Sequence, residues 1–279
     1  MLEFLPSIAS LLSFGTLSAI SKKAITEIGR HKAIVYAYIV MVALLLAGTL
    51  VMGLNLILPQ ELMLLYAAEV IIGSLGVIAA YKALHYGKAS LTGPISKSYV
   101  LIVLVMSILF LGEELSLGQI GGSVIIVIAA LFLAMDGKKL QSGPWLLFLG
   151  FAILCRAFYY TFIKNFVVAL GAFEATVLLE LGITIFVMIF HAIRGKDISP
   201  PEIKKGIYPA LAGTFAFSGS LLYSISVGMV GAALTAAISA GTPIVNAIAS
   251  YFLLGEKLDM HKYAAILLMV VGLAAIFLL

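Results

Sequence analysis

The chain contains one stretch twice. Residues 89–134 land on residues 232–277 when shifted by 143 positions, with no gap. SLTGPIS (Ser90–Ser96) falls on ALTAAIS (Ala233–Ser239), and LGEEL (Leu111–Leu115) falls on LGEKL (Leu254–Leu258). Apolar positions match by chance far more readily than polar ones. The informative pairs are therefore Thr92/Thr235, Ser96/Ser239, Ser107/Ser250 and Glu113/Glu256. Polar identities held in one register over this length point to a duplicated unit. Whatever the chain folds into must accommodate two copies of it.

The environment of that fold follows from hydropathy. Hydrophobic residues make up 63% of the sequence and charged residues 11%. A soluble domain sits near about half apolar and about a quarter charged, so this composition is that of an all-α integral membrane protein. Ten apolar runs have the length that a hydrocarbon core demands: 4–24, 33–54, 61–83, 92–111, 117–135, 144–168, 172–193, 207–228, 233–254 and 260–279. Short polar breaks separate them, and no linker is long enough to divide soluble domains. The halves meet near Gln141, giving five spans in residues 1–140 and five in 141–279. With an odd number of spans per copy, the second copy enters the membrane upside down. The expectation is ten transmembrane helices as two inverted five-helix repeats.

The formal charge of +4 is no nucleic-acid signal here, because the basic residues sit in short loops between apolar runs. Loops after the odd-numbered runs hold Lys22, Lys23, Arg30, Lys32, Lys88, Lys138, Lys139, Arg194, Lys196, Lys204, Lys205, Lys257 and Lys262. Those on the other face hold none except Lys164. Positive residues favour the cytoplasmic side, which places the odd loops there and both termini outside. The first apolar run begins at Phe4 with no basic residue before it, and Lys22 and Lys23 follow it. That order suits a retained first helix rather than a cleaved leader. One cysteine, Cys155, excludes an internal disulfide and a thiolate metal cluster. His31, His85, His191 and His261 sit at the ends of spans without clustering, so no metal site is expected. No phosphate-cradling motif is present, and no cofactor is expected.

Charges inside a bilayer are costly and usually face the interior of a bundle. Arg156 lies near the midplane, about 18 Å into the sixth span at 1.5 Å per residue. Glu180 and Glu69 each lie about 12 Å from a membrane edge. Lys97 lies five residues into the fourth span, and Lys82 at the end of the third can extend its stem to the interface. Arg156 and Glu180 either pair to hold two helices together or serve a solute, since a buried pair can be structural. Glu69 shares a helical face with Gly73, Gly76, Ala80, Ala83 and Gly87, a groove for close packing or for solute. Lacking a cation on that face, Glu69 is the better candidate for taking up and releasing a proton.

Polar residues also line up. The ninth span carries Thr235, Ser239, Thr242, Asn246 and Ser250 on one face, and the fourth carries Thr92, Ser96, Tyr99 and Ser107. Thr176, Glu180 and Thr184 mark the seventh span, and Ser220 and Ser224 the eighth. Singly such hydroxyls bond their own helix backbone. Four stripes together imply a shared polar interior. Glu113 and Glu256 open the fifth and tenth spans, where a carboxylate complements the helix dipole and plays a structural part.

The repeat, the ten spans and the pattern LTxxIS…LGExL, at 91–115 and 234–258, resemble the EamA type of the drug/metabolite transporter superfamily. Pro243 stands where that family usually has a proline; Val100 holds the matching place in the first half. The resemblance implies a carrier, mostly an exporter of amino acids and other small metabolites, with two inverted halves around a central cavity. It also implies cytoplasmic termini, opposite to the Lys/Arg count. The leading expectation is a secondary active transporter in the cell membrane, working by alternating access on small polar or zwitterionic metabolites. Arg156 or Lys97 would hold a carboxylate, and Glu69 or Glu180 an amine or a proton. Ser96, Tyr99, Ser220, Ser239, Thr242 and Asn246 complete the expected substrate site. The alternative is an intramembrane enzyme acting on a lipid-linked substrate, which would want acidic or histidine clusters near an interface. Saturable counterflow against product formation separates the two.

Overall fold

The computed structural model describes residues 2–133, 135–136, 139–140, 143–255 and 260–278. Its regular structure is helical, apart from a two-residue antiparallel ladder of Met135–Asp136 with Lys139–Leu140. The α-helices are α1 (Leu5–Ile28), α2 (Arg30–Met52), α3 (Met63–Tyr86), α4 (Ala89–Ser96), α5 (Tyr99–Leu111) and α6 (Leu117–Leu133). After the ladder come α7 (Trp145–Leu170), α8 (Ala172–Ile193), α9 (Ile203–Val230), α10 (Ala232–Ser239), α11 (Thr242–Leu254) and α12 (Met260–Leu278). Seven helical spans among the described residues are long and apolar enough to cross a membrane, with Ala232–Leu254 counted as one. Shorter apolar helices cover Tyr99–Leu111, Leu117–Phe132 and Tyr263–Leu278. The chain is thus an all-helical, multi-pass membrane protein.

Its outer surface agrees. Leu50, Leu64 and Leu147 are 82%, 85% and 79% exposed. A belt of such side chains is unfavourable in water and natural against lipid. Backbone groups are satisfied within the helices, as a hydrocarbon surround requires.

The helices close into a ring. α1 packs on α9, α9 on α2, α2 on α8, α8 on α3, and α3 on α7. The ring continues from α7 to α4 and α5, from these to α11 and α10, and back to α1. α6 and α12 pack on each other outside it. Turns of one glycine join α1 to α2, α7 to α8 and α9 to α10. Gly29, Gly171 and Gly231 take φ values of 77°, 93° and 87°, a region that favours a residue without a Cβ. So abrupt a reversal lets consecutive helices start at the same membrane depth.

The runs 92–111 and 233–254, read as continuous spans, are each split in two. In the second, Pro243 has no N–H to offer the Ser239 carbonyl four residues back, and the Thr242 hydroxyl donates to it instead. In the first, the break at Lys97–Ser98 persists although Val100 stands in place of a proline. The Val100 N–H reaches Lys97 O (3.0 Å), a tighter turn than an α-helix makes. Its consequence is positional, because the break brings Ser96 and Lys97 to the ring's interior.

One end of the bundle gathers the Lys- and Arg-rich loops. There Lys22 donates to the carbonyls of Leu84 (2.8 Å) and Gly87 (2.9 Å) at the C-terminal end of α3. Lys32 pairs with Asp197 (2.9 Å), and Tyr36 donates to Ile198 O (3.2 Å). The Ser199 hydroxyl and Lys32 hold the exposed Asp197 carboxyl well below the usual carboxylate range.

Candidate functional site

A cavity of about 120 Å³ lies inside the ring. That is below the roughly 300–1,000 Å³ of pockets for drug-sized ligands, and suits a small polar molecule. Six helices and one helix break supply its wall. α1 contributes Phe14 and Ser18, α2 contributes Tyr38 and Met41, and α3 contributes Gly73, Ala80 and Tyr81. The break contributes Ser96 and Lys97, α7 Arg156, Tyr159 and Tyr160, α8 Glu180, and α9 Ser220.

Glu180 is 4% exposed. Its Oε1 accepts from the Ser220 hydroxyl (2.7 Å) and from the Tyr159 hydroxyl (3.4 Å). Its Oε2 is buried with no hydrogen-bond partner. Lys97 is 7% exposed, and its ammonium lies 5.5 Å from the centre of the Tyr99 ring. Of the two readings open for Arg156 and Glu180, a direct pair is not what the structure forms. Among the described residues neither Arg156 nor Lys97 is in an ion pair, and Glu180 is held by neutral hydroxyls instead. Two cations and a carboxylate therefore line one enclosed space without neutralising each other by direct contact. Buried charge in that arrangement is costly unless something of complementary charge joins it.

The remaining expected site residues divide. Tyr99 stacks on Tyr160, with ring centres 5.0 Å apart, just behind the cavity wall. Ser239, Thr242 and Asn246 do not line the cavity; they lie where α10 and α11 meet the first half. Asn246 Nδ2 donates to Ala89 O (2.9 Å), and Ser250 donates to Asn246 Oδ1 (3.4 Å). Thr235 exchanges a hydrogen bond with Ser226 (2.7 Å), which in turn bonds Ser7. Much of the ninth span's polar face thus joins helices together. Glu69 is fully buried, yet it lies outside the cavity wall, and neither of its oxygens has a hydrogen-bond partner. The small-residue groove beside it divides. Gly76 packs on Cys155, while Gly73 and Ala80 face the cavity.

Other placements differ from the sequence reading. Glu113 does not cap the helix it precedes. Its carboxylate accepts from the Ala232 N–H (2.8 Å) and the Ala233 N–H (2.7 Å) at the start of α10, and from Lys164 (2.6 Å). Glu256 lies outside the described residues. His31 and His191, apart in sequence, meet edge to face with ring centres 5.0 Å apart. No group of three potential metal ligands occurs among the described residues. The tyrosines of the wall were missed altogether. Tyr38, Tyr81, Tyr159 and Tyr160 lie inside apolar runs, and a phenol there has to find a polar partner, which is the signal that could have flagged them.

The fold and the cavity together define a class: a polytopic helical membrane protein with a charged pocket inside its bundle. The model of the EamA-like transporter family matches residues 3–135 and 143–278, and the chain belongs to that family, within the drug/metabolite transporter superfamily. An uncharacterized protein of Methanocaldococcus jannaschii is 37% identical over 83 residues, 29% of this chain. The match spans 61% of that relative's length. A solved crystal structure superposes with a TM-score of 0.80 over 99% of this chain and 97% of its own, at 14% identity, a likeness of fold alone.

Proposed function

We propose that the chain is a secondary active carrier of the cell membrane that exports small zwitterionic metabolites such as amino acids by alternating access. The observation that carries this reading is the charge pattern of the central cavity. Glu180 Oε2 is free to accept from an amine, while Lys97 and Arg156 are free to hold a carboxylate. A zwitterion satisfies all three where a water or a hydrocarbon cannot. The family supports transport, and the size of the cavity supports a small solute.

The same reading takes residues 1–140 and 141–279 as inverted repeats giving ten spans. The helix pairings support it: α1 on α9 has its counterpart in α7 on α3, and α1 on α10–α11 has its counterpart in α7 on α4–α5. The Lys/Arg-rich end faces the cytoplasm, and Glu69 carries the coupling proton. The test is counterflow of radiolabelled amino acids in proteoliposomes. Saturable counterflow is expected with the wild type. Glu180→Gln and Lys97→Met should each weaken half-saturation about 10- to 150-fold, the loss of one charge-assisted bond of about 1.5–3 kcal/mol. Wild-type counterflow in both variants would remove the cavity from the transport path.

A further inference from the structure

A second cavity, of about 510 Å³, opens at the Lys/Arg-rich end of the bundle between α2, α3, α7 and α8. Its lining includes Arg30, Lys82, Arg194 and Lys196, and no carboxylate among the described residues. The nearest acidic side chain in sequence, Asp197, is already engaged by Lys32 and Ser199. Lys82 Nζ lies 3.7 Å from the centre of the Phe148 ring, and the Arg194 guanidinium 4.4 Å from that of Phe190. Ring faces hold these cations in place without neutralising them. His31 Nδ1 is buried beside them with no hydrogen-bond partner.

Below the cations the wall turns apolar. It descends along α3 from Lys82 to Leu75, about 10 Å at 1.5 Å per residue. Across from it stand Leu147 and Phe151, which are 79% and 48% exposed on the outer face of the bundle. The cavity therefore opens sideways toward lipid as well as toward the end of the bundle. Lys82 lies one turn from the end of α3 and Phe148 one turn from the start of α7, the depth at which headgroups meet acyl chains.

We propose that this cavity binds an anionic phospholipid of the adjacent leaflet, its phosphate among Arg30, Lys82, Arg194 and Lys196 and its upper acyl chain against Leu75, Leu147 and Phe151. A free phosphate would use the cations but leave the apolar wall without purpose. A zwitterionic lipid would bring its own cation into a site that already holds four. Each basic residue near a membrane surface strengthens binding of an anionic lipid about fivefold.

Delipidated protein in detergent is titrated with dioleoyl phosphatidylglycerol, with dioleoyl phosphatidylcholine, and with sodium phosphate at matched ionic strength. Bound lipid is counted by native mass spectrometry. Phosphatidylglycerol is expected to bind at least about tenfold more tightly than phosphatidylcholine. In Arg30→Gln/Arg194→Gln that affinity falls about thirtyfold. Leu147→Ala, which removes apolar contact without touching a charge, should weaken it about fivefold and serves if the double variant does not fold. Equal binding of the two lipids, an undiminished affinity in either variant, or displacement of the lipid by millimolar phosphate would each overturn the proposal. None of these outcomes bears on counterflow through the central cavity.

Discussion

Glu113 is the residue whose removal the structure prices most directly. Its side chain is 9% exposed and bridges three parts of the chain. It follows α5, its carboxylate takes the first two N–H groups of α10, and Lys164 reaches it from α7. Removing an ordinary helix cap costs about 1 kcal/mol and at most about 2. Bonds to an ionised acceptor are about twice as strong as neutral ones. The Lys164 side chain is 27% exposed, so solvent screening holds the pair itself to about 1 kcal/mol or less. Glu113→Ala should therefore destabilise the protein by about 2–4 kcal/mol. Glu113→Gln keeps an acceptor for one N–H but faces the other with an amide that cannot accept, so its loss should be about 1–3 kcal/mol. The assay is reversible unfolding in mixed micelles, followed by helical circular dichroism. In a double-mutant cycle with Lys164→Met, the coupling should stay below about 1 kcal/mol. A loss under about 0.5 kcal/mol for Glu113→Ala, the range of ordinary surface substitutions, would mean that the carboxylate does not cap α10.

Gly272→Val should cost about 1–3 kcal/mol in the same assay, because a Cβ there would meet Ile126 Cγ1 at 2.6 Å and the Gly122 carbonyl at 2.8 Å, forcing α12 away from α6; wild-type stability would mean that the two helices do not approach this closely. Glu69→Gln should abolish proton-driven accumulation in proteoliposomes while sparing substrate exchange, and proton-driven uptake at the wild-type rate and pH profile would make Glu69 a packing residue. A cysteine at Lys196 in a Cys155→Ala background should react with a membrane-impermeant maleimide only after cells are permeabilised. Labelling in intact cells would reverse the orientation drawn from Lys and Arg.

The membrane and the helices were legible because each leaves a one-dimensional trace: long apolar runs and short polar breaks. Four charged or polar cavity residues beyond Ser96, namely Lys97, Arg156, Glu180 and Ser220, were also legible, because a polar group inside an apolar run stands out. What was not legible depends on rotation and on partners distant in sequence. The polar face of 235–250 looks the same on paper whether it lines a cavity or grips a neighbour. Only the approach of α4, which brings Ala89 O to Asn246, decides that it grips. Glu113 was read as serving its own helix, since dipole arguments are local and the helix it caps lies about 120 positions away. The break at Lys97–Ser98 had no proline at the place where Pro243 marks the second copy's break. The tyrosines of the wall escaped notice because tyrosine was grouped with the hydrophobic residues.

Tyr81 ties the two cavities together, since it lines both. Toward the Lys/Arg-rich end, then, the central cavity is separated from the basic one by a wall to which a single side chain on α3 belongs on both sides. That side chain is held across the ring by a long contact from its hydroxyl to Ser21 of α1 (3.4 Å). The opposite end has fastenings of its own. There Glu113 binds α10 and Lys164 with three charge-assisted bonds, and Ser7, Ser226 and Thr235 link α1, α9 and α10. Charge-assisted bonds hold more strongly than a single long contact between neutral hydroxyls. The basic end has such bonds too, since the Lys22 ammonium of α1 donates to the carbonyls of Leu84 and Gly87 at the end of α3. In the proposed alternating-access carrier, opening the other end would have to release Glu113 from α10, so the carboxylate that caps a helix here would also serve as a lock.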